Sequence, residues 1–162
     1  MTDKHVKDLL MEHFMNPRNV GEIAGADGVG DVGNPKCGDI VRLFLKLKDG
    51  RIDKATFKTF GCRAAIATSS ILTEMLPGLK IDEARRIKEG DILAKLGDLP
   101  PLKRHCGKLA ELALQAALGD YLAKAKKDRS LLDDVTRRMH DPQEWEPARD
   151  DADEDIPVGE PL

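Results

Sequence analysis

Three cysteines can do chemistry in this chain, and each has neighbours that would tune it. Cys37 lies in Gly33-Asn34-Pro35-Lys36-Cys37-Gly38-Asp39, Cys62 in Phe60-Gly61-Cys62-Arg63, and Cys106 in Lys103-Arg104-His105-Cys106-Gly107. Structural cysteines behave as small buried hydrophobes, whereas reactive ones need access and nearby positive charge. None of the three falls inside an apolar stripe, and Arg63, Lys103 and Arg104 supply cations. Thiolates gathered with a carboxylate and an imidazole suit a soft metal or an iron–sulfur site. A storage or electron-transfer cluster takes four cysteines, so here the fourth ligand must be Asp39 or His105. Carboxylate oxygen is a harder, more exchangeable partner for iron than thiolate, which suits a carrier better than a redox centre.

The elements that must position these residues follow from periodicity. Residues 40–48 alternate, with Val41, Leu43, Leu45 and Leu47 on one face, and Asp49-Gly50 is the favoured two-residue hairpin turn before a partner strand at Arg51–Phe60. Helical spacing predicts helices over residues 3–15, 63–76 and 103–127, with Pro17 and Pro77-Gly78 as stops for the first two. Two shorter helices are expected over 81–88 and 90–96, with Asp82 as the cap of the first and Asp91 beginning the second. Residues 16–39 read mainly as loop with a short strand near Val29–Val32, and residues 128–140 keep a helical pattern. Cys62 and Cys106 thus fall at helix starts, where free N–H groups and the dipole favour thiolate. Gly38, Gly61 and Gly107 would let the backbone approach inorganic sulfide. Surface or packing roles are expected for His5, His13 and His140, and Ser69 and Ser70 are expected to be helix hydroxyls facing a neighbouring backbone.

Composition narrows the rest. With 162 residues, 41% apolar and 34% charged, the chain is expected to form one soluble domain. There is no apolar run long enough for a membrane span and no apolar signal core after Met1, so a cytoplasmic protein is expected. An odd cysteine count in a reducing compartment favours metal or thiol chemistry over disulfides. Aromatics make up only 4%, and the basic residues are not clustered, which argues against nucleic-acid binding. Residues 141–162 hold nine acidic residues, one basic residue and four prolines, and are expected to be flexible.

On these motifs the chain resembles the iron–sulfur cluster scaffold family, IscU and the N-terminal domain of NifU. The stretches that carry the resemblance are Asn16-Pro17-Arg18-Asn19-Val20-Gly21, Cys37-Gly38-Asp39, Phe57-Lys58-Thr59-Phe60-Gly61-Cys62, Ala65-Ile66-Ala67-Thr68-Ser69-Ser70, Thr73-Glu74-Met75 and Leu99-Pro100-Pro101-Leu102-Lys103 with His105-Cys106. It departs from the family at Arg63, where Gly is usual, at Gly107, where Ser is usual, and at Leu102, where Val is common.

The resemblance implies an α+β fold, a small antiparallel sheet covered by helices with the cluster site at one end. The scaffold domain would span residues 1–127 and a C-terminal extension residues 128–162, flexible from 141. The implied function is assembly of a 2Fe-2S cluster and its transfer to apoproteins, without enzymatic turnover. Cys37, Asp39, Cys62, His105 and Cys106 become the metal ligands, with Cys106 as persulfide acceptor and Zn²⁺ possible in the cluster-free form. Implied partners are a cysteine desulfurase, an iron or electron donor, recipient apoproteins, and an Hsp70-type chaperone with its co-chaperone. The chaperone would read Leu99, Pro100, Pro101, Leu102 and Lys103. The alternative is a zinc-dependent persulfide carrier of the SufU type, which typically has an insertion between its second and third cysteines and lacks the preceding His. Here 43 residues separate Cys62 from Cys106, and His105 is present.

Overall fold

Asp49 and Gly50 both adopt left-handed backbone, with φ of 55° and 76°, so the turn takes the primed form whose twist matches paired strands. In the computed structural model this turn joins β2 (Ile40–Lys48) to β3 (Arg51–Phe60), in register from Ile40↔Phe60 to Lys48↔Arg51 with one irregularity between Lys46 and Leu47. The structure describes residues 9, 11–33, 38–61, 63–96, 105–127 and 129–141; for Arg63, Leu96, His105, Cys106 and Lys126 it describes the backbone alone. A third strand, β1 (Gly28–Gly33), pairs antiparallel with β2 from Gly28↔Leu45 to Gly33↔Ile40, giving the sheet order β1-β2-β3. The expected short strand near Val29–Val32 is present and extends one residue further at each end.

Among the described residues five helices follow an N-terminal helical segment, α1, described at residues 9 and 11–15. They are α2 (Arg63–Met75), α3 (Ile81–Arg85), α4 (Glu89–Leu96), α5 (His105–Lys126) and α6 (Ser130–Met139). The inward sheet residues Val41, Leu43, Leu45, Ala55 and Phe57 join Leu72 of α2, Leu76 just after it, and Leu109, Leu112 and Ala113 of α5 in one core. The fold is thus α+β, as expected.

The opposite sheet face is only partly open. Residues 20–27 pass from the free edge of β3, where Val20 bridges Phe57, to the side of β2, where the Asp27 N–H donates to Leu45 O (2.8 Å). Lys46 Nζ donates to Gly25 O, and Lys58 faces Glu22, along that crossing. Phe44 and Thr56 lie beneath it, buried, while Ile40 and Phe60 beyond it are exposed.

The helix caps differ from expectation. Asp82 does not cap α3. The N-cap is Lys80, whose N–H is taken by the Glu83 carboxylate (2.9 Å). Likewise α4 starts at Glu89, two residues before Asp91, and Asp91 reaches back to the Lys88 N–H (2.9 Å). In both, the acid three residues into the helix turns back on the cap, the reciprocal half of a capping box.

α6 packs into the same core through Leu131 and Val135. Glu111 on α5, only 2% exposed, pairs with Arg138 of α6 (3.0 Å) and accepts the Glu89 N–H of α4 (2.8 Å). One buried carboxylate therefore joins three helices, and the Arg138 guanidinium and the Glu89 N–H offset its desolvation.

β1 is glycine-rich because α5 lies directly on its backbone. A Cβ on Gly28 would overlap the Ala117 carbonyl; one on Gly30 would overlap the Ala113 carbonyl and lie 2.5 Å from Ala117 N. Both obstacles are helix backbone, which cannot yield without moving α5. Gly30→Ala should therefore destabilise the fold by about 1–3 kcal/mol or more, the usual cost of overpacking. Urea denaturation checks it, and an unchanged midpoint would contradict this packing.

Candidate metal centre

Each chain segment that leads to a cysteine arrives at one end of the sheet. Gly33 closes β1, Ile40 opens β2 and Phe60 closes β3, and the registers Gly33↔Ile40 and Ile40↔Phe60 set the three side by side. Cys37 belongs to the connection from Gly33 to Gly38, and Cys62 follows Gly61 and precedes α2. α5 comes to the same end by antiparallel packing on β1: Gly28 meets Ala117, and Gly30 meets Ala113. Two strand residues advance about 6.7 Å and four helical residues about 6 Å, so the first turn of α5, His105 and Cys106, draws level with the end of β1. The segments bearing all three cysteines and His105 therefore converge. Cys37 and Cys62 themselves lie outside the described residues, as does the whole of Leu99–Lys103, and the side chains of His105 and Cys106 are not described.

Asp39 is the one candidate ligand whose side chain is described. It is 7% exposed, and no hydrogen bond or ion pair joins its carboxylate to another described residue. Gly61 makes room for it: a Cβ there would sit 2.8 Å from both Cγ and Oδ1 of Asp39. Gly38, with φ of 76°, turns the chain so that Asp39 enters beside β3. These glycines were expected to admit sulfide, and the packing assigns two of them otherwise. Gly61 accommodates Asp39, and Gly107 accommodates Leu93 of α4, whose Cγ would lie 3.0 Å from an added Cβ. Among the described residues no cluster of three metal-capable side chains occurs, since the thiols are not among them. No described helix is long and apolar enough to cross a membrane.

Sequence reasoning missed what steadies α2, the helix that begins just after Cys62. His13 was expected at the surface or in packing; it is 4% exposed, and its Nδ1 lies 2.8 Å from Ser70 Oγ. Ser70 Oγ accepts the Arg18 N–H (2.9 Å), and Arg18 Nη1, which can only donate, faces His13 Nδ1 at 3.4 Å, so Nδ1 is the accepting nitrogen. That leaves the imidazole proton on Nε2, facing Glu74 Oε1 at 3.6 Å. Asn19, left-handed at φ of 58°, donates from Nδ2 to Thr73 Oγ1 (3.1 Å), while its carbonyl takes the Phe57 N–H (2.9 Å). The stretches Asn16–Gly21 and Ser69–Glu74 are thus two sides of one polar clamp across α1, α2 and β3. A signal was available in Ser70 and Thr73, three residues apart on one helix face.

The comparisons with known proteins agree with this architecture. Two solved structures share the fold. The N-terminal NifU-like protein of Brucella abortus superimposes with a TM-score of 0.50 at 22% identity, covering 83% of this chain and 96% of that one. A candidate cluster assembly scaffold for the SUF system from Fervidobacterium islandicum does so with a TM-score of 0.58 at 22% identity, covering 68% and 94%.

The profile of the NifU-like N-terminal domain matches residues 5–128, and the chain belongs to that family. It is 52% identical over 120 residues to the iron-sulfur cluster assembly scaffold protein IscU 1 of Archaeoglobus fulgidus, covering 74% of this chain and 78% of that protein. To IscU of Escherichia coli K12 it is 49% identical over 119 residues, covering 71% and 92%. The relative in Drosophila melanogaster, 50% identical over 122 residues, is named an iron-sulfur cluster assembly enzyme.

Two expectations follow from this geometry. In the folded protein, burial and the nearby Arg18 guanidinium lower the His13 pKa below its ordinary 6.5, outweighing the opposing pull of Glu74 and Glu12. The unfolded chain therefore binds the proton more tightly, and stability falls as pH drops below 6.5 toward the depressed folded value. His13→Gln should flatten that part of the stability–pH curve; a parallel curve in the variant would remove His13 as its source. Gly61→Ala should displace the Asp39 carboxylate and lower metal affinity while the fold persists. Metal titration with circular dichroism checks this, and unchanged affinity would separate Asp39 from the centre.

Proposed function

We propose that this protein is a scaffold on which an iron–sulfur cluster, its cargo, is built from iron and desulfurase-derived sulfur and then released to recipient proteins. The observation that carries this reading is the arrival of three cysteine-bearing segments and the buried Asp39 at one end of the sheet. Family membership and the relatives named as cluster assembly scaffolds support it. The residues suit that cargo: three thiolates for iron, and a carboxylate as the harder, exchangeable donor. Cys37, Cys62 and Cys106 are the ligands in this reading, completed by Asp39 or His105, and the cluster is of the 2Fe-2S type. Zn²⁺ would fit the same donors in the cluster-free protein.

Sulfur arrives by thiol exchange. The Cys106 thiolate attacks the outer sulfur of a desulfurase persulfide, a new S–S bond forms on Cys106, and the desulfurase cysteine leaves as thiolate. Cys106 suits the attack because it opens α5 behind Lys103 and Arg104. The protein supplies sites and has no turnover of its own.

Protein partners need a surface at this end, and one is present. Phe60 is 80% exposed and pairs across the strands with Ile40, 47% exposed, one residue from Gly61 and Asp39 respectively. A large exposed aromatic beside a site is unusual on a monomer and suits a protein contact. An Hsp70-type chaperone would instead read Leu99–Lys103, the link from α4 to α5, next to Cys106. No membrane or nucleic-acid partner belongs to this reading, and the compartment proposed is the cytoplasm.

Anaerobic reconstitution with iron and sulfide, read by visible absorption and metal analysis, tests the assignment. Each of Cys37→Ser, Cys62→Ser and Cys106→Ser should impair cluster formation, and Asp39→Ala should form a cluster that transfers more slowly to an acceptor. Full reconstitution by all three serine variants would overturn the ligand set. A colourless protein that binds only zinc would favour the persulfide carrier. Mass spectrometry after incubation with a desulfurase should find the added sulfur first on Cys106; labelling mainly on Cys37 or Cys62 would reassign the acceptor.

A further inference from the structure

α6 begins at Ser130, just beyond residue 128 where the family match ends, and two kinds of contact hold it on α5. One is apolar. Leu131 and Val135 are buried, and Gly119 of α5 leaves room for Leu132, whose Cγ would lie 3.0 Å from an added Cβ. The other is the ion pair of Arg138 with Glu111, side chains only 13% and 3% exposed. A ten-residue helix is marginal in water by itself, so docking is what keeps α6 helical. A peripheral helix held this way opens at a lower free energy than the sheet beneath it.

The ion pair reaches beyond α6. Glu111 divides its two oxygens: Oε2 accepts from Arg138 Nη2 (3.0 Å), and Oε1 accepts the N–H of Glu89, the first residue of α4 (2.8 Å). A carboxylate placed there satisfies a helix-start donor and complements the dipole of α4. Glu89 in turn faces Lys108 Nζ on α5 (3.9 Å). One turn further along α4, Leu93 fills the space that Gly107 leaves, in the turn of α5 that bears His105 and Cys106. Contacts therefore run unbroken from Arg138 through Glu111 and α4 to the first turn of α5.

We propose that α6 is a releasable latch on the corner between α4 and α5, with Arg138 as the positioning residue that acts through Glu111. Docked, the latch leaves the carboxylate satisfied, α4 capped and Leu93 seated on Gly107. Released, it strands a buried charge, which is strongly destabilising. The carboxylate then turns toward water and gives up the Glu89 N–H. α4 frays from its start, Leu93 leaves Gly107, and the first turn of α5 gains freedom. A helix that is either docked or released is the two-state element through which such coupling travels. The inference concerns the metal-free chain and does not depend on the proposed function.

Native-state hydrogen exchange on the metal-free full chain, with urea raised below the unfolding transition, reads the latch without any substitution. The slowest amides of α6 and α4 should open together, with one urea dependence, before those of β2 and β3. Arg138→Ala should speed exchange at Leu93 of α4, and at Leu109 and Ala110 where α5 closes its first turn, by about tenfold or more. The Leu43 and Leu45 amides of β2 should keep their parent rates. Adding Glu111→Gln to Arg138→Ala removes the stranded charge and keeps an oxygen for the Glu89 N–H. That double variant should return most of the way to the parent rates, a rescue that lost packing around the Arg138 stem would not show. Independent opening of α4 and α6 in the parent chain would overturn the proposal. So would unchanged Leu93, Leu109 and Ala110 exchange in Arg138→Ala, equal acceleration at Leu43 and Leu45, or a double variant no closer to the parent.

Discussion

The contact on which everything else depends is backbone against backbone: the turns of α5 at Ala113 and Ala117 resting on Gly30 and Gly28 of β1. It fixes how far α5 can slide along the sheet, because any side chain on those two glycines would meet helix carbonyls. That register in turn decides where the helix starts. One step of β1 along α5 would shift His105 and Cys106 by more than half a turn and by several ångströms, enough to take that turn away from the end of β1. A sequence as weak in strand-forming residues as Gly-Val-Gly-Asp-Val-Gly is a strand here because the approach of α5 requires it, not because of its propensity. The dense packing that follows leaves α5 residues 109–114 all but inaccessible to solvent.

In the proposed scaffold, the chemistry at that end rests on a contrast of donor types. Thiolates hold iron firmly; a carboxylate does so less firmly and exchanges faster. Asp39 is held by shape and not by hydrogen bonds from described residues: Gly61 leaves it space, and Gly38 aims the chain. A buried carboxylate with no partner among the described residues contrasts with one locked in an ion pair, as Glu111 is with Arg138. The two buried acids thus do opposite work, one tying helices together and the other kept available.

The hairpin was legible from alternation and Asp49-Gly50 because both signals are local, and the long helices were legible because a face of 3.6-residue period must be buried. The three cysteines and Asp39 stood out by residue type. What alternation and periodicity could not reveal were contacts between distant residues. Nothing near Gly61 announces that its missing side chain serves Asp39, and nothing near Gly107 announces Leu93. The caps at Lys80 and Lys88 were misplaced because an acid inside the first turn can reach back as readily as one ahead of it. His13 and Ser70 are 57 residues apart, and a polar pair at that separation leaves no periodic trace.

That clamp also shows why the fold uses polar groups where an apolar seam would be simpler. An apolar contact between α1 and α2 would be non-directional and would tolerate a slipped register. Ser70 instead holds one donor and one acceptor at fixed angles, and Asn19 binds α2 with its side chain and β3 with its carbonyl, so only one placement satisfies both. Buried polar networks of this kind cost desolvation and return uniqueness when every member is satisfied. The placement so fixed is that of α2 relative to β3, which is the junction where Gly61 leads into Cys62. Two independent constraints therefore converge on the same end of the molecule: glycine-to-helix backbone contact positions the approach of α5, and the polar clamp positions the start of α2.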